Sequence, residues 1–463
     1  MARSQRMTNG RVAMAGRSRR SVAYDNAIGR LRNTVSTVAL LLMISVSPVG
    51  AQTLRSQVGD LTQTPQDREN ARWWDERKQY GAIAVDERDR TQYLSEGWRF
   101  GNYIIRPTGE VRKHYTDNVY RTSKERTGDF AVELNPKVKF VSQFARHALN
   151  IDVGGTYRKY NKADNLDTLG GFVRAEGALH INHAHTISFS LVSDYTHEFA
   201  LASTFTQLAN ERTPIWTNKA ELGITRDAGR LAVTAGVAYN SYDFFDVKAQ
   251  QGPKIDQDLR DAKIYSSDLK LRYRFSPGYS FEARAKGLRT LTDRPDNQTG
   301  DSWGAEVAVG LRGEVSPLLH WRFMVGYAAR DFDDPALALA QAGIFDAQIR
   351  WLITERLTII ADAERGFNFT DDEEGSINTV GSLRFLIEAR DNLIFTVGGS
   401  YGLLERLNGR GSEEKFGWEA GLDYLYTQHL HFNLKYEGEL TTGDTNFDDV
   451  QENRVWAGFK ILF

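Results

Sequence analysis

The sequence predicts an all-β protein, a transmembrane antiparallel up-and-down β-barrel of about 18 strands. Three observations carry this expectation. Apolar and polar residues alternate with period two from about Tyr103 to Phe463. Short and long connections alternate along the same stretch. The chain also ends in an aromatic residue on an alternating apolar face.

Composition sets the outer bounds. The 463 residues include no cysteine, which excludes disulfides and thiolate metal sites. A net charge of -2 argues against a nucleic-acid partner. Mean hydropathy is -0.47, and no mature segment approaches the roughly 20 apolar residues of a membrane helix. A barrel escapes that test because its apolar residues are interleaved with polar ones.

The N-terminus reads as an export signal. Arg17, Arg19, Arg20, Arg30 and Arg32 form a basic region, Val38 to Val46 an apolar core, and Pro48-Val49-Gly50-Ala51 a small-residue site. That order predicts a secretory signal peptide over 1–51, cleaved after about Ala51. Residues 52–97 are polar and lack a sustained period, with one amphipathic cluster at Trp73-Trp74-Asp75-Glu76-Arg77. They predict a flexible periplasmic leader, too short for the globular plug of a 22-stranded transporter.

The barrel is expected over 98–463. Leu269, Leu271, Tyr273 and Phe275 alternate with Asp268, Lys270, Arg272 and Arg274, so the two sets lie on opposite faces of one strand. Trp303 to Leu311, Leu383 to Ala389 and Leu430 to Tyr436 repeat the design. Strand starts are expected near 104, 128, 146, 167, 185, 213, 230, 258, 279, 301, 319, 341, 357, 375, 393, 411, 429 and 450. Short connections such as Ser276-Pro277-Gly278 and Arg390-Asp391-Asn392 alternate with longer acidic ones such as Arg294 to Gly300, Asp371 to Gly375 and Gly443 to Asp449. Short periplasmic turns and long external loops are the habit of bacterial barrels, and an even strand count returns both ends to the periplasm. A β-propeller would need a recurring blade motif, and none is found.

A barrel of this size encloses an aqueous channel. Its expected lining is charged with both signs: Lys270, Arg272, Arg274, Glu282, Arg284, Lys286, Glu306, Arg312, Arg350, Asp362, Glu364, Arg384, Glu388, Lys435 and Glu437. Mixed sign argues against a strongly ion-selective pore. On the last strand, Val455, Ala457, Phe459, Ile461 and Phe463 share one face. This pattern looks like the C-terminal signal that the barrel-assembly machinery recognises.

Catalysis and metal binding find little footing. His183 and His185, and His429 and His431, each place two histidines at one strand end, but no cysteine or carboxylate cluster completes a ligand set. No nucleophile elbow or phosphate-binding glycine pattern occurs, so no enzyme, metal or cofactor is expected.

Gly101-Asn102-Tyr103-Ile104-Ile105-Arg106-Pro107, followed by Tyr115-Thr116-Asp117-Asn118-Val119-Tyr120-Arg121, resembles the opening of the putative β-barrel porin-2 family. Members typically begin with a hydrophobic stretch ending in Arg-Pro, then a Tyr-x-Asp-Asn-Val-Tyr-like element. Likeness in overall pattern runs over Trp98 to Phe463. Many such proteins look associated with exopolysaccharide gene clusters. The resemblance therefore implies an outer-membrane porin of a Gram-negative bacterium, an exit pore for a secreted exopolysaccharide, with a periplasmic polysaccharide export protein as partner. The alternatives are a general diffusion porin for small hydrophilic solutes and a structural or adhesive barrel with a closed lumen. The family brings no catalytic residues. Asp117-Asn118 reads as a strand-to-loop transition whose side chains bond nearby backbone.

Overall fold

The computed structural model describes residues 83–463 except 199–208, 251, 294–299, 336, 338, 369–375, 407–410 and 444–448. The expected signal peptide, the Trp73-Trp74 cluster and most of the long acidic loops lie outside the described residues.

A short strand β1 (Trp98–Phe100) precedes β2 (Tyr103–Thr116), β3 (Asp129–Ser142), β4 (Ala148–Tyr160), β5 (Thr168–His180), β6 (His185–His197), β7 (Pro214–Ala228), β8 (Leu231–Phe244), β9 (Ala262–Ser276) and β10 (Tyr279–Thr292). The second half comprises β11 (Ser302–Ser316), β12 (Leu319–Phe332), β13 (Ala340–Thr354), β14 (Leu357–Asn368), β15 (Ser376–Arg390), β16 (Leu393–Arg406), β17 (Ser412–Leu425), β18 (Leu430–Gly443) and β19 (Val450–Leu462). From β2 onward each strand pairs antiparallel with its sequence neighbours, and β19 pairs with β2, closing a barrel of 18 strands. Among the described residues each of these 18 strands is paired on both sides, as hydrocarbon requires of a spanning sheet.

Period-two alternation sorts the side chains. On β11, Trp303, Val307 and Val309 are 63%, 56% and 49% exposed, whereas Glu306 and Arg312, on the alternate positions, are 5% and 1% exposed. Apolar residues face outward toward lipid and charged ones inward. At one rim the connections are tight. Gly229 and Gly278 supply φ values of +62° and +74° there, left-handed backbone that a side chain disfavours. The opposite rim carries the long loops.

Two features depart from plain alternation. The inward register of β10–β13 turns apolar toward the long-loop rim, where Leu288, Ala308, Met324, Ala328, Phe332 and Ile344 form a cluster. Secondly, residues 84–97, expected within the flexible leader, are docked. Two single 3₁₀ turns, Val85–Glu87 and Thr91–Tyr93, carry this strap along the inner wall of the short-turn rim. Val85 is fully buried against Leu386, Ile394 and Leu425. The strap ends in β1, whose Trp98 pairs with Ile105 and Phe100 with Tyr103. On the same edge of β2, the β19 ladder reaches only Thr108, paired with Leu462. β1 thus continues the edge that β19 leaves.

Candidate channel interior

The inward charges are paired across the ladder, as opposed strands allow. On the β9–β13 wall, Arg312 meets Glu282 at 3.0 Å and Arg322 meets Asp346 at 2.5 Å. Lys270 lies 3.8 Å from Asp268. Arg272 reaches Asp227 on β7 at 3.5 Å, and Arg274 pairs with the same carboxylate. Lys286 stands opposite both Asp268 and Glu306 in register. Arg284 is opposite Lys270.

On the β14–β18 wall, Arg384 approaches Asp362 at 3.9 Å, and Asp362 also accepts from Gln348 at 2.9 Å. Glu364 is in register with Asp346. Lys435 bridges Glu419 at 2.9 Å and Glu437 at 2.6 Å. These expected residues therefore form cross-strand networks on two arcs rather than one continuous band.

Arg350 and Glu388 belong to the strap instead. Arg350 pairs with Asp86. Glu388, 1% exposed, accepts from Arg88 at 2.8 Å and from Arg90 at 2.7 Å. Burial lowers the Arg90 pKa from its ordinary value against the pull of Glu388. Arg90 also donates to the Asp391 carbonyl at 3.0 Å, and the Tyr93 carbonyl meets His431 Nε2 at 2.7 Å. The strap is thus tied to the barrel by hydrogen-bonded buried charges, an arrangement that removal of one partner disrupts strongly.

The β2–β7 side of the interior contains groups that the sequence reading did not single out. Glu133 joins Arg112 at 2.6 Å and Arg158 at 2.5 Å. Trp456 sits on the inward register with Arg112, Lys435 and Arg454 over its ring. The same alternation marks these strands, so the signal was present, but glycine and apolar residues at inward positions dilute it.

The histidine pairs do not converge. His429 Nδ1 meets the Leu462 carbonyl at 2.8 Å, while His431 turns inward to the strap. His185 Nδ1 meets Asn182 at 2.9 Å. Among the described residues, three exposed carboxylates, Asp246, Asp256 and Asp258, lie within 4.8 Å of one another in the β8–β9 loop. Asn118 bonds nearby backbone as expected, its Oδ1 accepting from the Thr122 amide at 3.0 Å, and both Asn118 and Asp117 also bond backbone across the barrel's closing seam. Asn118 Nδ2 donates to the Gln451 carbonyl at 2.9 Å and the Thr122 carbonyl at 2.7 Å. Beside them Arg121 pairs with Glu439 and Glu452. Burial alone would lower its pKa, but those two carboxylates raise it above the ordinary value. Val455, Phe459, Ile461 and Phe463 face outward, and the Phe463 amide donates to the Pro107 carbonyl at 3.1 Å.

Comparison with known proteins places this barrel. Solved structures of similar architecture include OpdO of Pseudomonas aeruginosa, with TM-score 0.44, 13% identity, and 78% of this chain against 97% of that one. The outer-membrane protein OpdK of Pseudomonas aeruginosa gives 0.44 and 11%, covering 78% and 99%. A BenF-like porin from Pseudomonas fluorescens gives 0.43 and 11%, also covering 78% and 99%. No curated protein matches the sequence. The family model for putative β-barrel porin 2 matches residues 90–463, a span that takes in every barrel strand and the last part of the strap. The chain therefore belongs to the putative β-barrel porin-2 family, a family of outer-membrane porins rather than enzymes.

Proposed function

We propose that this protein is a general diffusion porin for small hydrophilic solutes in the outer membrane of a Gram-negative bacterium. The observation that carries the reading is a closed 18-strand barrel with inward charges of both signs on most of its strands. Such a wall solvates polar solutes without offering one tight site, and passage requires that binding stay weak enough for release. Thirteen of the fifteen candidate lining residues, all but the strap-bound Arg350 and Glu388, then set the field within the channel. The outward apolar band contacts outer-membrane lipid, and the C-terminal strand ending in Phe463 serves the barrel-assembly machinery.

Exit of an exopolysaccharide, the reading suggested by the family resemblance, is less well supported by the interior. Long inward side chains occupy the lumen, and the strap lies along the short-turn rim. Small solutes suit that space better than a polymer. Reconstitution into planar bilayers should give stepwise ion conductance, and proteoliposomes should pass small sugars with a sharp size limit. Silent bilayers would favour a closed structural barrel. Loss of surface polysaccharide on gene deletion, with unchanged uptake of small solutes, would restore the exit reading.

A further inference from the structure

The strap crosses the seam at which the barrel closes, and its anchors follow the wall strand by strand rather than spanning the mouth. On β13, Arg350 holds Asp86. On β14, Thr358 Oγ1 accepts from the Val85 amide at 3.0 Å. On β15, Glu388 holds Arg88 and Arg90, and Val85 packs onward against Ile394 of β16 and Leu425 of β17. On β18, His431 meets the Tyr93 carbonyl. The chain then passes β19, turns at Gly97 and enters β1, which is bonded to β2. Gly97 has φ +76°, and a Cβ there would lie 2.6 Å from the Ile105 carbonyl oxygen and 2.7 Å from Arg106 Cγ, so the strap seats on β2 only with glycine. The two ends of the seam are held differently. Toward the long-loop rim, Asp117, Asn118 and Arg121 bond residues of β18 and β19. Toward the short-turn rim the β2–β19 ladder stops at Thr108–Leu462, with one further bond from the Phe463 amide to the Pro107 carbonyl, and β1 covers the rest of the β2 edge.

We infer that the strap is a closure clasp: it docks on the β13–β18 arc before the seam forms and tethers β2 beside β19. The inference does not depend on the porin reading. Pairing of β2 with β19 joins the two ends of the barrel, and Asp117 and Asn453 at that seam are 336 residues apart. Such a pairing is slow for a chain that must first close so long a loop. Docking of the strap shortens the search. It sets Tyr93 beside His431, one strand from β19, and Tyr93 precedes Tyr103 by ten residues. The effective concentration of tethered partners falls roughly as the −3/2 power of tether length, so a short tether favours the seam strongly. The order follows from where the anchors lie. From Val85 to Tyr93 every one is on β13–β18 or on the turns joining them, so the strap can dock on an open sheet. The β2–β19 ladder supplies none of those contacts.

The test follows pairs of introduced cysteines, each reporting one contact because the native chain has none. The seam pair is Tyr115→Cys with Val455→Cys, register partners on β2 and β19. The strap pair is Val85→Cys with Thr358→Cys, and the control pair is Ala285→Cys with Val307→Cys, register partners on β10 and β11. Denatured chain from Gln52 onward is refolded into lipid vesicles, oxidant is added at successive times, and the cross-linked fraction is read on gels. With the native tether, the strap pair should form before the seam pair. The opposite order overturns the inference. A Gly-Ser insertion of about twenty residues between Leu94 and Ser95 leaves the anchors in place and lengthens the tether from ten residues to about thirty. The seam pair should then form roughly fivefold more slowly, with the strap and control pairs unchanged. A seam rate that is not lowered shows that the strap only lines the wall, and overturns the inference. Equal slowing of all three pairs overturns it too, because the defect then lies in the whole sheet rather than in closure.

Discussion

The Asp117 carboxylate holds Asn453 twice, accepting from its backbone amide and its side-chain amide at 2.7 Å each, across the seam where the barrel closes. The seam needs such a latch. The β2–β19 ladder runs only from Thr116–Arg454 to Thr108–Leu462, whereas β2 and β3 pair over the full length of β2. Loss of the carboxylate leaves two amide donors of Asn453 without that partner. Asp117→Ala should therefore cost about 1–3 kcal/mol. The measurement is the temperature at which the barrel loses its heat-modifiable gel migration. A matched substitution at the exposed Asp256 should leave that temperature unchanged.

Removal of the shared anchor should free the strap. Glu388 receives both Arg88 and Arg90, and Arg90 is only 2% exposed. Glu388→Ala strands two cations, and breaking a buried pair in this way costs about 3–5 kcal/mol locally. Trypsin should then cut at Arg88 and Arg90 in the variant while sparing them in the native barrel, with strand content unchanged by circular dichroism. Equal resistance would show that Val85, the Arg350–Asp86 pair, the Arg90 bond to the Asp391 carbonyl and the Tyr93–His431 contact hold the strap without Glu388.

Residues that carry a local period were legible in the sequence, and those whose partners are distant were not. Trp303 to Leu311 announces a strand through its own neighbours, and the expected start near 301 lies beside Ser302. The expected start near 258 runs four residues early because Asp258–Arg260 forms a 3₁₀ turn before Ala262. Arg260 is buried there against Glu198, and nothing within the local pattern encodes that pairing. The strap is a stronger case. It has neither helical nor strand period, and its anchors Arg350 and Glu388 lie some three hundred residues away in sequence, as does Asn453 from Asp117.

The loop joining β8 to β9 should respond to pH. Burial pushes the Asp261 carboxyl up to about 6, helped by Asp243, Asp258 and Asp293 and opposed by the hydrogen bond it accepts from the Phe244 amide at 2.8 Å. Because the folded value exceeds the ordinary 3.8, the folded loop binds the proton more tightly than the unfolded chain. Its contribution to stability is full below about pH 4 and is lost as pH rises through about 6. Amide exchange at residues 253–260, corrected for intrinsic rates, should be slower at pH 4 than at pH 7. Asp261→Asn should remove most of that difference.

Orientation follows from the two kinds of rim. The native chain has no cysteine, so a single introduced thiol reports its own position. A cysteine at Asp256, exposed in a long loop, should react with a membrane-impermeant maleimide on intact cells. One at Ala228, beside the Gly229 turn, should react only after the outer membrane is opened. The reverse pattern would place the strap outside the cell.

The two faces of β11 give the sharpest contrast within one pair of neighbours. Val307 is 56% exposed on the outward face, bordering a hollow with Ala283, Ala285 and Tyr327. Glu306 is 5% exposed and lies in register with Lys286. Arginine on the lipid face near the bilayer midplane costs about 2–4 kcal/mol, because its charge must reach water along the barrel wall or be desolvated. On the inward face the same side chain stays among polar and charged groups rather than lipid, although Glu306→Arg places it beside Lys286 and so loses a favourable neighbour. Val307→Arg should therefore reduce the fraction of chain assembled into the membrane more than Glu306→Arg does. Glu306→Arg should instead alter conductance and shift selectivity toward anions. If Glu306→Arg blocks assembly and Val307→Arg does not, the inward and outward faces are reversed, and the assignment of a charged interior falls with them.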